Sequence, residues 1–252
     1  MRILRDTWLV FQRSMGQTLR NPVWVVVGLM QPLYYLFLFG PLLEPVAKLQ
    51  GFGGTAYDVF VPALLVQMAL FGSIFVGFGL IAELRFGVIE RMRVTPMSRL
   101  AMLLGRAGRD IAILIFQSSL LMVMSIPFGL HVTPQAVAII SALMVLLGTG
   151  MACLSYGLAL LLKSEDAMAP LLNAVFLPVM LLSGMLLPLT LAPRWLQGVS
   201  HANPLTYAVD AARQAFHSSI AAGTVVGGLA VAAALAAVTV TWAARSFGRS
   251  VA

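Results

Sequence analysis

The sequence predicts an all-α integral membrane protein with six transmembrane helices, an N-terminal interfacial amphipathic helix and a re-entrant helical hairpin between spans 5 and 6. Three observations lead to this prediction. First, 60% of the 252 residues are hydrophobic and only 10% are charged, whereas a soluble domain holds about 25% charged residues. Second, several long stretches contain no Asp, Glu, Lys or Arg. Third, the basic residues are concentrated on one side of those stretches.

The charge-free stretches define the predicted spans. They cover residues 21–43, 59–82, 111–162, 167–193 and 214–244. A helix needs about 20 apolar residues to cross the bilayer core. Four stretches therefore predict one span each, and the third predicts two, separated by a break between Pro127 and Pro134. We expect one transmembrane domain over residues 1–252, with spans at about 22–43, 59–82, 111–130, 135–162, 168–189 and 221–243.

The positions of the basic residues predict the orientation. With the N-terminus inside, 13 of the 16 Lys and Arg residues fall in the inner segments 1–20, 83–110, 163–166 and 245–252. Loops on the cytoplasmic side carry an excess of Lys and Arg. We therefore expect both termini in the cytoplasm and the protein in the plasma (inner) membrane. The net charge of +7 then reflects the orientation of the chain in the membrane. We therefore do not expect a nucleic-acid partner.

The motifs of common enzyme classes are missing from the sequence. The three histidines, His131, His201 and His217, are too far apart for a helical pair of metal ligands. Neither HExxH nor GxSxG occurs, and residues 157–164 miss the P-loop pattern because Leu162 replaces its second glycine. We therefore expect that the chain is not an enzyme and binds no metal. The energy for any work that it does would come from a partner protein or an ion gradient. Because the predicted spans contain no mid-span ionisable residue, an ion-gradient-driven carrier is disfavoured.

Residues 1–20 predict an amphipathic helix in the inner interfacial plane. Apolar residues recur at spacings of three and four at Leu4, Trp8, Phe11, Met15 and Leu19. A basic helix with Trp8 and Phe11 on its apolar side is typical of helices that lie in the interface. Leu9 and Val10 depart from this stripe. The helix either only fixes the topology or has a mechanical role, and the sequence leaves both open.

The inner loop 83–110 is the longest predicted inner connection. It mixes charges of both signs with apolar residues, namely Phe86, Val88, Ile89, Met92 and Val94. A loop that only carried positive charge would not need this apolar content. We therefore favour a short helix before Pro96 that docks into a cleft of a cytoplasmic protein, and a solvated basic turn is the alternative.

The outer segment 188–219 predicts two short amphipathic helices. Pro193 could start the first, with Trp195 and Val199, and Asn203-Pro204 starts the second. Such helices would dip partway into the outer leaflet. Irregular backbone at that depth is tolerated only against protein or a cavity. We expect a gate or a pathway wall here more than a plain loop.

The six spans, the inner stretch GVIERMRVTPMSRL and the outer stretch LLSGMLLPLTLAPRWLQGVSHANPLTYAVDAARQ together resemble the membrane subunit of type-2 ATP-binding-cassette exporters. The daunorubicin-type drug-resistance permeases look most similar. The resemblance implies a pair of membrane subunits, with a second copy or a paralogous permease, in contact with two copies of a cytoplasmic ATPase. ATP and Mg²⁺ would bind to that ATPase, and this chain would hold no cofactor of its own and contact membrane lipid.

The resemblance also implies roles for individual residues. The ATPase-coupling residues would be Phe86, Gly87, Glu90, Arg91, Thr95 and Pro96. The outer gate or pathway would use Trp195, Asn203, Pro204, Tyr207, Asp210 and Arg213. Trp8 and Phe11 would belong to the interfacial helix.

The function expected from this resemblance is that of the permease subunit of an ATP-driven exporter. It would move a hydrophobic or amphipathic compound, drug-like or lipid-like, out of the cell. Export of a lipid-linked glycan or polysaccharide is the alternative in the same family. An ion-gradient-driven carrier and a non-transporting membrane scaffold are alternatives of other classes.

Overall fold

The computed structural model describes residues 2–42, 56–86, 99–185, 189, 192–217 and 221–249, and the regular secondary structure within these ranges is helical. Six helices are long and apolar enough to cross a membrane, which confirms the predicted all-α fold with six spans. Their bounds are Val23–Leu42, Tyr57–Arg85, Ala101–Phe128, Pro134–Leu162, Glu165–Leu182 and Ala222–Ser246. We call them spans 1 to 6.

In the described residues, three further helices lie outside the spans. We call them α1 (Arg2–Arg20), α2 (Arg194–Ser200) and α3 (Pro204–Ala215). The helix α1 packs against the beginning of span 3, whereas α3 packs against spans 2, 4 and 6. The two ends of the bundle are therefore distinct. We call them the α1 end and the hairpin end, and the predicted orientation puts the α1 end in the cytoplasm.

Spans 2 and 4 form the centre of the bundle. In the most apolar window of span 2, 72% of the residues are buried, and half are buried in span 4, against 17% in spans 1 and 5. Fully buried side chains from the central spans include Leu64, Leu65, Leu70, Ile140 and Leu143. Spans 1 and 5 therefore lie at the periphery and expose apolar faces, as expected for a chain whose solvent is lipid.

Span 2 is interrupted in its middle. One helix, Ala56–Ile74, ends there, and a second, Val76–Arg85, continues to the α1 end. Ser155 of span 4 fills the break: its hydroxyl donates to the carbonyl of Ile74 and accepts the N–H of Gly77 at 2.9 Å. A Cβ at residue 77 would lie 2.6 Å from the Ser155 hydroxyl oxygen. Glycine is thus required for the close approach that satisfies both backbone groups.

The turn between spans 3 and 4 follows the chemistry of its sequence. A 3₁₀ turn, Ile126–Phe128, ends span 3, and Gly129 has a φ of 96° in the left-handed region. Thr133 then caps span 4, because its hydroxyl accepts the N–H of Ala136 at 3.1 Å, and Pro134 occupies the first helical turn.

Span 3 begins earlier than the sequence predicted. The expected start was residue 111, but one continuous helix runs over Arg99–Ser125. The charge-free stretch begins only at residue 111, because the charged residues Arg106, Arg109 and Asp110 precede it. These three residues nevertheless lie on the same helix, which packs against other helices. The predicted inner loop 83–110 is therefore helical at both ends, and only residues 87–98 lie outside the described part.

The helix α1 is present, but its buried side differs from the predicted apolar stripe. Val10, which departs from that stripe, is buried against span 3, and so is Ser14. A Cβ at Gly105 of span 3 would lie 2.6 Å from the Val10 Cβ and 2.7 Å from the carbonyl oxygen of Thr7. The missing side chain at Gly105 therefore lets the two backbones approach. The position of α1 in a membrane interface remains a prediction.

Candidate functional site

In the sequence, the predicted coupling residues fall between the end of span 2 and the beginning of span 3. Gly87, Glu90, Arg91, Thr95 and Pro96 are outside the described residues. Phe86 follows directly after the end of span 2 and its side chain is 77% exposed. An exposed aromatic residue at this end of the chain's longest inner connection is available to a partner protein, but its role in coupling remains a prediction.

Charged residues that are paired inside the bundle lie next to this segment. Glu83, near the end of span 2, forms an ion pair with Arg106 of span 3. The Arg106 side chain is only 9% exposed. Removing Glu83 would leave the Arg106 charge in a poorly solvated place, at a cost of up to about 3–5 kcal/mol. The pair therefore fixes the end of span 2 against the beginning of span 3.

A second set of polar groups lies about one helical turn further into the bundle. The Arg109 guanidinium donates to the Asp110 carboxylate, with the Nε–Oδ1 distance at 2.8 Å. The other carboxylate oxygen of Asp110 accepts the hydroxyl of Tyr156 from span 4. Asp110 and Tyr156 are both buried. Together with the Glu83–Arg106 pair, these residues join spans 2, 3 and 4, and we call the set Glu83, Arg106, Arg109, Asp110 and Tyr156 the charge cluster.

The charge cluster was not foreseen from the sequence. We expected Glu83 and Asp110 to mark span ends, and nothing in the sequence around Tyr156 distinguishes it from the other apolar residues of span 4. One signal was available: Arg109 and Asp110 follow Arg106 at spacings of three and four residues, which places both close to Arg106 on a helix. Their partners on spans 2 and 4 become evident only when the helices are packed.

At the same end, Arg85 and Glu165 connect the end of span 2 to the start of span 5, with 3.4 Å between Nη1 and Oε1. Both side chains are well exposed, at 57% and 38%. An exposed ion pair contributes about 0–1 kcal/mol. This contact therefore adds little to stability compared with the charge cluster.

At the hairpin end, side chains from α3 and its cap satisfy carbonyl groups at the end of span 5. The Asn203 amide donates to the carbonyl of Val179 at 2.7 Å, and the Thr206 hydroxyl donates to that of Leu182 at 3.3 Å. Asn203 also caps α3, since its side-chain oxygen accepts the N–H of Leu205 at 3.0 Å. The last carbonyls of a helix have no partner within it. The Asn-Pro sequence thus serves two helix ends at once.

Arg213 extends these contacts to span 2. Its Nη2 donates to the carbonyl of Gly184 at 2.7 Å, and its Nε donates to the carbonyl of Val59 at 3.3 Å. The planar guanidinium offers several donors in fixed directions, so one side chain can bridge two backbone segments. We call Asn203, Thr206 and Arg213 the hairpin clamp, because they hold α3 against the end of span 5 and the beginning of span 2.

The two charged residues of α3, Asp210 and Arg213, are affected by their surroundings. Desolvation lowers the pKa of Arg213, and the nearby Asp210 opposes this shift. The Asp210 side chain reaches the surface, but desolvation by the protein around it raises its pKa, against the attraction of Arg213 and His201. Asp210 is therefore less acidic than an ordinary aspartate.

The other predicted gate residues are dispersed around the hairpin. Tyr207 donates its hydroxyl to the carbonyl of His201 at 3.0 Å and so connects α3 to the turn after α2. Pro204 occupies the first turn of α3. Trp195 is 70% exposed. The structure therefore brings Asn203 and Arg213 together around the end of span 5, and it leaves Trp195 on the surface.

The predicted interfacial residues lie on one side of α1. The rings of Trp8 and Phe11 stack with their centroids 5.2 Å apart. Trp8 is mostly exposed, whereas Phe11 is partly buried and approaches span 3. The exposed apolar side chains of the same helix are Ile3, Leu4, Trp8, Leu9 and Leu19.

Comparisons with known proteins agree with this architecture. The family model of the ABC-2 type transporter matches residues 5–217. The chain is 30% identical over 220 residues to ycf38 of Cyanophora paradoxa, which is named a transport permease; the match covers 86% of this chain and 76% of that protein. It is 27% identical over 219 residues to the inner membrane transport permease YadH of Escherichia coli K12, covering 82% and 78% of the two chains.

A third relative carries a more specific name. The chain is 23% identical over 235 residues to the daunorubicin resistance ABC transporter permease protein DrrB1 of Streptomyces coeruleorubidus, covering 90% of this chain and 80% of that one. The family match extends from α1 through the hairpin clamp and thus includes five of the six spans. With its six apolar helices, this chain belongs to the ABC-2 type transporter family of multi-pass membrane permeases.

Proposed function

We propose that the chain is the permease subunit of an ATP-driven exporter that moves a hydrophobic or amphipathic compound out of the cell. The observation that carries this proposal is the family match over residues 5–217, which includes both the segment next to the charge cluster and the hairpin clamp. Hydrolysis of ATP takes place in a separate cytoplasmic ATPase, which also binds Mg²⁺. The complex contains two ATPase copies and a second permease, identical or paralogous.

In this proposal the segment 83–110 receives the movement of the ATPase. Phe86, Gly87, Glu90, Arg91, Thr95 and Pro96 contact the partner, and the charge cluster carries the displacement to spans 2, 3 and 4. The support for this route is that the cluster joins the two helices on either side of residues 87–98 to a third helix of the bundle centre. Coupling through rigid elements requires such a continuous connection.

At the opposite end, the hairpin clamp holds the outer gate. Trp195, Asn203, Pro204, Tyr207, Asp210 and Arg213 belong to this region, which lies at the outer face of the plasma (inner) membrane when both termini are cytoplasmic. Asn203 and Arg213 support the proposal because their donors reach the carbonyls of Val179 and Gly184, at and just beyond the end of the peripheral span 5. Trp8 and Phe11 anchor α1 in the inner interface.

The substrate class follows from the same surfaces. The spans expose apolar side chains, and the name of one relative refers to daunorubicin resistance. We therefore propose a drug-like or lipid-like compound. Export of a lipid-linked glycan or polysaccharide is the second candidate. An ion-gradient-driven carrier is disfavoured, because the predicted spans contain no ionisable residue in their middle.

The experiment that tests the proposal is the reconstitution of the purified complex in vesicles. A cytoplasmic ATPase should co-purify with the chain, and a hydrophobic substrate should stimulate ATP hydrolysis. Exchanging the charges of an adjacent pair, Glu90→Lys with Arg91→Glu, should reduce complex formation and coupled hydrolysis. Transport driven by a proton gradient, without ATP or an ATPase, would contradict the proposal.

The chain offers a matched control for this exchange. Arg5 and Asp6 form another adjacent pair of opposite charges, located on α1 at the same end of the bundle. Arg5→Glu with Asp6→Arg keeps the net charge and should leave ATPase binding near the wild-type level. If both double variants lose the ATPase equally, the assigned docking segment is wrong.

A further inference from the structure

The bundle contains an apolar cavity between spans 4, 5 and 6 at the hairpin end. Its volume is about 300 Å³. It is lined by side chains of the three spans and of the hairpin, among them Met151, Phe176, Val179, Val199, Ala202 and Leu235. Val199 and Ala202 are exposed, so the cavity opens at the side of the hairpin. Asn203 of the hairpin clamp also lines the cavity, whereas the charge cluster lies outside it.

The cavity extends from the hairpin towards the middle of the membrane. Its lining on span 5 runs from Phe176 to Leu182, a length of about 9 Å at 1.5 Å per residue. Leu235 lies near the middle of span 6, whose bounds are Ala222–Ser246. The lining on spans 5 and 6 therefore reaches into the parts of these helices that would cross the hydrocarbon region of a bilayer.

Water is a poor occupant of this cavity. A buried water needs about 2–4 polar partners, whereas among the described lining residues Asn203 carries the one polar side chain. Its amide already donates to Val179 and its oxygen accepts from Leu205. The lining therefore offers hydrocarbon contacts, and an apolar cavity of this kind stays dry.

The size of the cavity excludes a second protein helix. A helix with its side chains is about 10–12 Å wide, too wide for the available volume beside span 5. A single unbranched hydrocarbon chain is slender enough to enter. The bilayer presents such chains at high concentration, and mass action then favours an occupied site.

We propose that this cavity binds the acyl chain of a membrane lipid, whose polar end lies beside α2. The chain enters between spans 5 and 6 and contacts Phe176, Val199 and Leu235. The bound lipid packs the peripheral span 5 against the rest of the bundle. This inference does not rest on the proposed transport function, because it concerns the permease and its solvent alone.

The test uses the wild-type protein, reconstituted in phosphatidylcholine vesicles that contain a phosphatidylcholine with a photoreactive group in the middle of one acyl chain. After illumination, mass spectrometry of peptides locates the adducts. We expect labelling of the cavity residues on spans 5 and 6 well above that of the exposed span 5 residues Val175, Leu177 and Leu181. Equal labelling of both groups would mean ordinary lipid contact and would overturn the proposal.

Two variants on one helix sharpen the test. Leu235→Trp fills the cavity, whereas Val238→Trp adds the same side chain at a position that is 66% exposed. Adducts at the other cavity residues should fall about tenfold in Leu235→Trp, since excluding two methylene groups already changes affinity by about that factor. They should persist in Val238→Trp. Equal adduct yields in the two variants contradict a defined acyl-chain site.

A second variant places a large side chain in the cavity from the hairpin. The adduct yields then do not depend on how well span 6 tolerates tryptophan. Ala202→Phe should reduce adducts at Leu235. Gly198→Phe is its control, because a Cβ added at Gly198 meets no atom within 4 Å. Cross-links between two permease copies through the cavity residues, in place of lipid adducts, would show that a second copy fills the site and would overturn the proposal.

Discussion

At the scale of single residues, the charge cluster depends on hydrogen bonds that are made inside the bundle. Tyr156 illustrates this, because its hydroxyl donates to a buried carboxylate. Without that donor, the Asp110 oxygen would lose its partner from span 4 in a place where water does not replace it. Leaving a buried acceptor without its donor costs about 1–3 kcal/mol. The single oxygen atom of Tyr156 thus contributes more to stability than most surface contacts.

Tyr156→Phe should therefore lower the free energy of unfolding by about 1–3 kcal/mol. The measurement is thermal or denaturant unfolding of the purified protein in detergent micelles. Tyr207→Phe is the matched control, since Tyr207 also donates to a carbonyl but is exposed; its loss should be about 1 kcal/mol or less. A Tyr156→Phe variant as stable as Tyr207→Phe would show that the cluster tolerates the missing bond.

The raised pKa of Asp210 predicts how stability depends on pH. Desolvation raises the pKa of this carboxyl in the folded protein, so the folded state binds a proton at a higher pH than the unfolded chain does. Between the ordinary and the raised pKa the folded state holds more protons, and stability rises as the pH falls through this window.

Asp210→Asn removes the titration. The difference in stability between the wild type and this variant should therefore shift in favour of the wild type as the pH is lowered from neutral through the raised pKa. Unfolding midpoints of both proteins over that pH range give the measurement. Parallel pH profiles for the two proteins would show that Asp210 titrates as an ordinary carboxyl.

At the scale of elements, α1 is held by the shape of its contact with span 3. Val10 lies against Gly105, and the distance leaves no space for a Cβ. Gly108 lies one turn further along the same helix, where a Cβ would meet Phe11 at 3.5 Å, an ordinary contact distance. The two glycines thus differ in what an added methyl group would do, although both lie under α1.

Gly105→Ala should loosen α1, because the new methyl group would displace Val10 or the backbone at Thr7. Gly108→Ala should leave α1 in place and gain about 1 kcal/mol of helix propensity. Hydrogen–deuterium exchange of the α1 amides measures the effect. We expect faster exchange in Gly105→Ala only; protection of α1 in both variants would contradict the close packing described above.

At the scale of the whole molecule, the six spans and the distribution of basic residues predict which segments face each side. The turn between spans 4 and 5 should be cytoplasmic, and the start of span 6 should be outside. Cys153 is buried in span 4, and Cys153→Ser provides a background for single reporter cysteines.

In that background, Ser164→Cys should react with a membrane-impermeant thiol reagent only after the cells are opened, whereas Ala221→Cys should react in intact cells. Each of the two positions lies directly beside a span. The two reporter cysteines are therefore compared at similar depth in the membrane and with similar thiol reactivity. Labelling of Ser164→Cys in intact cells would reverse the predicted orientation and place the charge cluster on the outer side.

The sequence by itself determined the solvent and the number of crossings of this protein. Charge-free stretches of about 20 residues have one physical solution in lipid, because each backbone group must be satisfied within its own helix. Local chemistry also determined the start of α3 at Asn203-Pro204 and the turn at Gly129. These features depend on neighbours in the chain, so they can be read without knowing the packing.

Only the tertiary structure decided how the polar residues are used. Scanning for charge-free stretches placed the start of span 3 too late, because Arg106 and Asp110 are compatible with a packed helix once Glu83 and Tyr156 lie opposite them. Val10 was expected to be an exception on α1 and instead makes the close contact to Gly105. Asn203 and Arg213 reach carbonyls that are distant in the chain. The physical reason is the same in each case: the free energy of a buried polar or closely packed group depends on its partner on another helix, and the linear sequence does not specify which residues become partners.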